Sequence, residues 1–226
     1  MPAFAERYRV IAFDARAHGR SRVTDGDFSV EANVADALAV LDAKGGKRVA
    51  LLGYSMGAGV AVRLALAAPE RVAALILVGF GGNAEAARPQ DVPSLRRVWE
   101  TDQRRLQKEG LEALVAGRLQ RMFSPAFPAC AAARYRRAFL ASDAQELARR
   151  PLPDLGMVDL GAVLAPTLIV AGEADAVFAP ELGRAAAAEI PGARFLTLPG
   201  GHACHLESPA LFNEAVLAFL ASLPGW

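Results

Sequence analysis

The sequence predicts an α/β fold, a mostly parallel sheet flanked by helices, on three observations. Short apolar runs recur along the chain at Val49–Leu52, Val72–Val78, Thr167–Ala171 and Phe195–Leu198. Segments of helical length separate them, and Gly or Pro punctuates nearly every boundary. Val49–Leu52 is apolar and partly β-branched, the composition of a strand buried on both faces of a parallel sheet.

The elements follow in order. Met1–Arg7 is at most the end of a helix, and Val10–Phe13 reads as a strand. Val30–Lys44 is a helix, because Val34, Leu38 and Leu41 fall on one face and Gly45-Gly46 end it. After the strand at Val49–Leu52, an Ala- and Leu-rich helix of about three turns runs to Pro69. Val72–Val78 is a strand closed by Gly79. Beyond Gly81-Gly82 the pattern changes: from about Ala84 to Arg150 the chain reads as Arg-rich helices broken at Pro89, Pro93, Pro125 and Pro128. Val158–Leu164 leads back to the sheet. Thr167–Ala171 is entered through Pro166 and left at Gly172. Glu181–Ile190 is a helix closed by Pro191-Gly192, Phe195–Leu198 is the last strand, and Ser208–Leu223 is the last helix.

Composition narrows the class. A chain of 226 residues with 53% hydrophobic residues is ample for one α/β core. A net charge of +1 gives no reason to expect nucleic acid or an acidic membrane surface as a partner. The longest apolar run, Val72–Phe80, is too short to span a bilayer, and the first residues lack a charged-then-apolar signal pattern. Two cysteines, Cys130 and Cys204, make no disulfide framework and no metal spacing, so free thiols in a cytoplasmic protein are expected.

The segment that carries chemistry is Gly53-Tyr54-Ser55-Met56-Gly57, set between a strand and a helix. The pentapeptide alone is weak; its placement is what matters. A Ser on so sharp a turn is strained with its hydroxyl thrust outward, and flanking glycines spare side chains that would collide. The following helix aims its N-terminal N–H groups and positive dipole end at the Ser. Asp175 lies just past one strand and His202 follows the next, after Gly200-Gly201. A hydroxyl nucleophile needs an imidazole to take its proton, and the imidazole needs a carboxylate to fix its tautomer.

On these residues the chain resembles the α/β-hydrolase family, in its branch of small lactonases, esterases and C–C bond hydrolases, the 3-oxoadipate enol-lactonases among them. The resemblance runs from Tyr8 to the C-terminus. It rests on Tyr8-Arg-Val-Ile-Ala-Phe-Asp-Ala-Arg-Ala-His-Gly-Arg-Ser21, Gly53-Tyr-Ser-Met-Gly57, Gly172-Glu-Ala-Asp175 and Gly201-His-Ala-Cys-His-Leu-Glu-Ser-Pro209. It implies Ser55 as nucleophile, Asp175 as acid, His202 as base and the Met56 N–H as one oxyanion donor. It also implies a core of residues 1–83 and 156–226, with residues 84–155 inserted as a helical cap.

Other residues carry plainer expectations. His18 shapes a turn, His205 is structural at a helix start, and Glu173 is a less favoured acid than Asp175. Glu207 is expected to open the last helix, where a carboxylate suits the dipole. Cys204 is outranked by Ser55. Between Glu85 and Arg150 there are thirteen Arg or Lys against eight Asp or Glu, mostly a solvated surface, though one Arg would suit a substrate carboxylate. Trp99, Phe123, Phe127 and Phe139 are candidates for an acyl pocket or for a small core of the cap.

The resemblance implies further strands before Tyr8, one lying between Val10–Phe13 and Val49–Leu52. That strand's loop carries a His-Gly motif supplying the second oxyanion N–H. Either the natural chain starts further upstream, the reading preferred here, or Val10–Phe13 pairs directly with Val49–Leu52 and the turn at Ala15–Gly19 supplies the donor. The function expected is cofactor-independent hydrolysis of a small carboxylic ester or lactone through an acyl-enzyme. The alternatives are a C–C bond hydrolase, lyase or acyltransferase using the same residues, or a non-catalytic ligand-binding form or inactive fragment lacking a full oxyanion hole.

Overall fold

The computed structural model describes residues 2–23, 26–83, 95–141, 144–149, 151 and 156–224. A first short helix, α1 (Pro2–Ala5), is followed by α2 (Val30–Ala43), whose start is set by Ser29: its side chain accepts the Ala32 N–H at 3.1 Å. Its end is set by Gly45, whose φ of 68° is open to glycine at little cost. Strand β1 (Val49–Tyr54), helix α3 (Met56–Ala67) and strand β2 (Val72–Val78) follow, and the Pro69–Arg71 3-10 turn ends α3. Between β2 and β3 the described residues form α4 (Leu95–Glu109), α5 (Leu111–Met122), α6 (Ala129–Leu140) and α7 (Ala144–Arg149). Pro125 and Pro128 do separate α5 from α6, whereas Pro89 and Pro93 lie outside the described residues. The chain closes with β3 (Thr167–Gly172), α8 (Pro180–Glu189), β4 (Arg194–Leu198), α9 (Cys204–Glu207) and α10 (Pro209–Ala221).

The four strands lie in the order β1-β2-β3-β4, and every neighbouring pair is parallel. Each successive strand is added on the same side, so right-handed crossovers must all use one face of the sheet. Helices α3 and α8 accordingly share one core with Leu75, Leu77 and Ile169. The other face packs Ala74, Ile76, Val78, Leu168 and Val170 against Phe212, Val216, Phe219 and Leu220 of α10. Strand β2 is buried at every position because both its faces and both its edges are covered.

Two expectations are corrected. Val10–Phe13 is not a strand and pairs with no strand among the described residues; its segment is tethered instead by Arg16, whose guanidinium grips the Asp36 carboxylate of α2 at 2.8 and 2.9 Å. A strand needs a partner ladder, and Val10 and Phe13 are left 36% and 49% exposed without one. The expected burial of Val49–Leu52 also fails. Among the described residues β1 is an edge strand, so Leu52 is 46% exposed. The last helix falls where expected, at Pro209–Ala221, and α9 is a separate short turn ahead of it.

Where the chain leaves the sheet after β2 and returns before β3, Asn83 joins both ends. Its amide nitrogen donates to the Val158 carbonyl at 3.0 Å, and its oxygen accepts the Val158 N–H at 3.0 Å. Asn83→Ala should therefore lower the unfolding free energy by about 1–3 kcal/mol, read from urea midpoints at unchanged m-value. An unchanged midpoint would show that this closure carries no stability.

Candidate active site

All four strands deliver a candidate site residue or a space-making glycine at their C-terminal ends, the place where open α/β sheets hold their ligands. Ser55 follows β1. It takes φ 52° and ψ −117°, a strained conformation for a residue with a Cβ, and its N–H donates to the Val78 carbonyl at 2.9 Å. Gly53 makes the turn possible, since a Cβ there would lie 2.3 Å from the Gly57 oxygen. Gly57 differs from expectation: a Cβ on it would meet no atom within 4 Å among the described residues outside its own helix turn. The Met56 N–H is at the first position of α3, where an α-helix offers no internal acceptor.

Asp175 follows β3 in a tight turn, its side chain wholly buried. One carboxylate oxygen accepts the N–H groups of Val177 and Phe178 at 2.7 and 2.8 Å, and the other lies 2.9 Å from His202 Nδ1. His202 follows β4, and its Nε2 lies 2.9 Å from Ser55 Oγ. A continuous Ser55–His202–Asp175 chain of hydrogen bonds therefore crosses three strand ends. Glu173 is exposed and outside this chain.

Space for the imidazole comes from Gly79 at the end of β2. Its φ is 56°, and a Cβ would lie 2.7 and 2.9 Å from His202 Cε1 and Nδ1. The Tyr54 and Phe178 rings stand 5.1 and 5.8 Å from the imidazole centroid and wall it off. Burial first, then the Asp175 charge, raise the Tyr54 phenol far above its ordinary value, so it stays neutral. Sequence reasoning missed Gly79, Tyr54 and Phe178. Tyr54 lay within the quoted pentapeptide and Phe178 within one turn of Asp175, so proximity along the chain was the available signal.

The remaining candidates sort clearly. His18 shapes the Ala15–Gly19 turn, its Nδ1 standing 3.0 Å from the Arg16 carbonyl. His205 packs its ring 4.7 Å from Tyr54 and 5.7 Å from Phe212, and its Nδ1 is buried with no hydrogen-bond partner among the described residues. Burial, aided by His202, lowers its pKa from 6.5 to about 4. Cys204 is buried and free, and burial, followed by the Asp175 charge, pushes its thiol up to about 12. Glu207 is a correction: it closes α9 rather than opening the last helix, and its carboxylate is taken up by Ser124 and Gly201. Among the Arg residues of the helical segment, Arg118 and Arg121 both bind buried Asp102, and Arg136 pairs with Glu112. Phe123 and Phe127 stack at 4.3 Å and meet Tyr135, so these aromatics pack one another. Among the described residues, no three His, Cys, Asp or Glu side chains cluster closely enough to hold a metal, and no helix is long and apolar enough to cross a membrane.

The family model described as "Alpha/beta hydrolase family" matches residues 1–215 of this sequence. The chain belongs to the alpha/beta hydrolase family. It is 32% identical over 234 residues to the RutD protein of Azorhizobium caulinodans, named for carbamate hydrolysis; the match spans 98% of this chain and 84% of that one. A hydrolase from Pseudomonas aeruginosa superposes with a TM-score of 0.83 at 34% identity, over 98% of this chain and 83% of that one. The enol-lactonase from Burkholderia xenovorans superposes with a TM-score of 0.83 at 25% identity, over 98% and 84%. Hydrolase chemistry is thus the common property of the family and these relatives.

Two outcomes follow from the site's packing. Gly79→Ala should displace the His202 ring and lower kcat by about 100-fold, as misplacement on the ångström scale does, in a protein with wild-type circular dichroism. Retained activity would mean the imidazole has room to spare. For His205, the folded pKa lies below the unfolded one, so its stabilising neutral state is complete above pH 6.5 and stability falls as pH drops toward 4. His205→Phe should flatten that part of the stability profile in urea titrations between pH 7 and 4. An unaltered profile would exonerate His205.

Proposed function

We propose that this hydrolase is a serine hydrolase that cleaves a small carboxylic ester or lactone through an acyl-enzyme intermediate. The observation that carries the reading is the hydrogen-bonded chain from Ser55 Oγ through His202 to Asp175, with 2.9 Å at each link. Asp175 holds Nδ1 protonated, which leaves the Nε2 lone pair to take the Ser55 proton as Oγ attacks the carbonyl carbon. The tetrahedral oxyanion forms beside the Met56 N–H at the positive end of α3. His202 then returns the proton to the leaving alcohol or ring oxygen. It next deprotonates the water that releases the acid and regenerates Ser55.

Helices α4 to α7 act in this reading as the cap of residues 84–155 over the core of residues 1–83 and 156–226. The substrate is a small molecule, and no cofactor enters the steps. The ester or lactone class is favoured by the likeness to the Burkholderia xenovorans enol-lactonase. The relative named for carbamate hydrolysis favours a second reading, in which the same serine attacks a carbamate carbonyl.

A fluorophosphonate probe should label wild type and leave Ser55→Ala unlabelled. Ser55→Ala and His202→Ala should abolish hydrolysis of p-nitrophenyl acetate and small lactones. Asp175→Asn should lower kcat by about 10³–10⁴-fold, against a far milder loss in Glu173→Gln. A labelled Ser55→Ala, or equal losses at Asp175 and Glu173, would defeat the assignment. Turnover of carbamates above esters and lactones would favour the second reading.

A further inference from the structure

The His202 backbone is bracketed by Gly201 and Ala203, and both are fastened to the helical segment between β2 and β3. The Ala203 N–H donates to the Met122 carbonyl at 2.7 Å. The Gly201 N–H donates at 2.7 Å to Glu207 Oε1, which also accepts the Ser124 N–H at 3.0 Å. Glu207 Oε2 accepts the Ser124 hydroxyl at 2.5 Å. One carboxylate therefore collects three donors, two from Ser124 and one from the residue before His202. Hydrogen bonds to an ionised acceptor are about twice as strong as neutral ones, so this junction is stiff. The contact is also close: a Cβ on Gly201 would lie 2.8 Å from the Ser124 nitrogen and 2.9 Å from the Phe123 carbonyl carbon.

We propose that Glu207 is a positioning residue: its carboxylate locks Met122–Ser124 of the cap onto the Gly201–Ala203 loop and thereby holds His202 in line with Ser55. The proposal rests on the serine-hydrolase reading of Ser55 and His202. Asp175 has its own anchors on Val177 and Phe178, so it cannot replace this function: it orients the ring but not the backbone that carries it. The cap in this arrangement is not a free lid at Ser124; one of its anchors is the loop that bears the base.

The test measures the rate and the final stoichiometry of fluorophosphonate labelling, together with amide hydrogen exchange at Gly201 and Ser124. Glu207→Ala should reach wild-type stoichiometry about 100-fold more slowly, with faster exchange at both amides and KM for small esters within about threefold. Glu207→Gln keeps an oxygen for the two N–H groups and an amide for the Ser124 hydroxyl, so it should restore the rate to within about tenfold of wild type. Should Glu207→Ala not fold, Ser124→Ala removes one of the three bonds and should still slow labelling at full stoichiometry. A lowered stoichiometry with an unchanged rate per labelled site, or an unchanged Ser124→Ala rate, overturns the proposal and leaves the serine-hydrolase reading standing. An unlabelled wild type overturns that reading, and the positioning role with it.

Discussion

The imidazole of His202 has to meet Ser55 on one side and Asp175 on the other, and those residues leave three different strands. That constraint explains much of the architecture. A parallel sheet is the arrangement that brings several strand C-termini to one edge, and each helical return then carries the chain back to the opposite edge. The imidazole also needs a vacancy in a densely packed layer. The fold provides it by ending β2 in Gly79 with positive φ, where any side chain would strike the ring. The loops after β3 and β4 are pressed together for the same reason: a Cβ at Gly172 would lie 1.9 Å from the Gly201 oxygen.

What was legible in the sequence was local. Runs at Val72–Val78 and Thr167–Ala171 are strands buried on both faces, and their own apolar composition records that. The three residues singled out by spacing come together because each sits one turn past a strand, a feature written in contiguous sequence. Glu207 was misread because its partner lies 83 residues away, and no periodicity reports such a contact. Read locally it was a carboxylate near a helix; read in the fold it is the meeting point of two loops. Gly79 was visible only as a strand terminator, since the ring it accommodates comes from a residue far along the chain.

Val10–Phe13 shows the opposite limit. Its apolar, β-branched residues suit a strand, but a strand exists only by its neighbour's hydrogen bonds. Among the described residues β1 pairs only with β2, and Leu52 and Phe13 are 46% and 49% exposed. Strand propensity without a ladder left the segment irregular, held by the Arg16–Asp36 pair instead. Burial of β1 was inferred from its own composition, whereas burial of a strand depends on what stands on each side of it.

Burial around His202 also separates two candidate nucleophiles, Ser55 and Cys204. Cys204 lies two residues from His202, and a thiolate attacks carbonyls more readily than a hydroxyl. Its thiol, however, is pushed up to about 12 by burial and the nearby Asp175 charge, which keeps it protonated at neutral pH. Ser55 needs no such ionisation, because its proton has an acceptor 2.9 Å away at His202 Nε2. The Asp175 carboxylate thus acts in two directions. It orients the imidazole beside it through the Nδ1 contact, and, added to burial, it disfavours a negative charge on the sulfur behind. Tyr54 is held neutral chiefly by its burial between the two histidine rings, with the Asp175 charge adding to the effect. Burial first, and one carboxylate fixed by two backbone N–H groups second, therefore keep the phenol and the thiol around His202 neutral, while the Ser55 hydroxyl on the strained turn stands in hydrogen-bond contact with the imidazole.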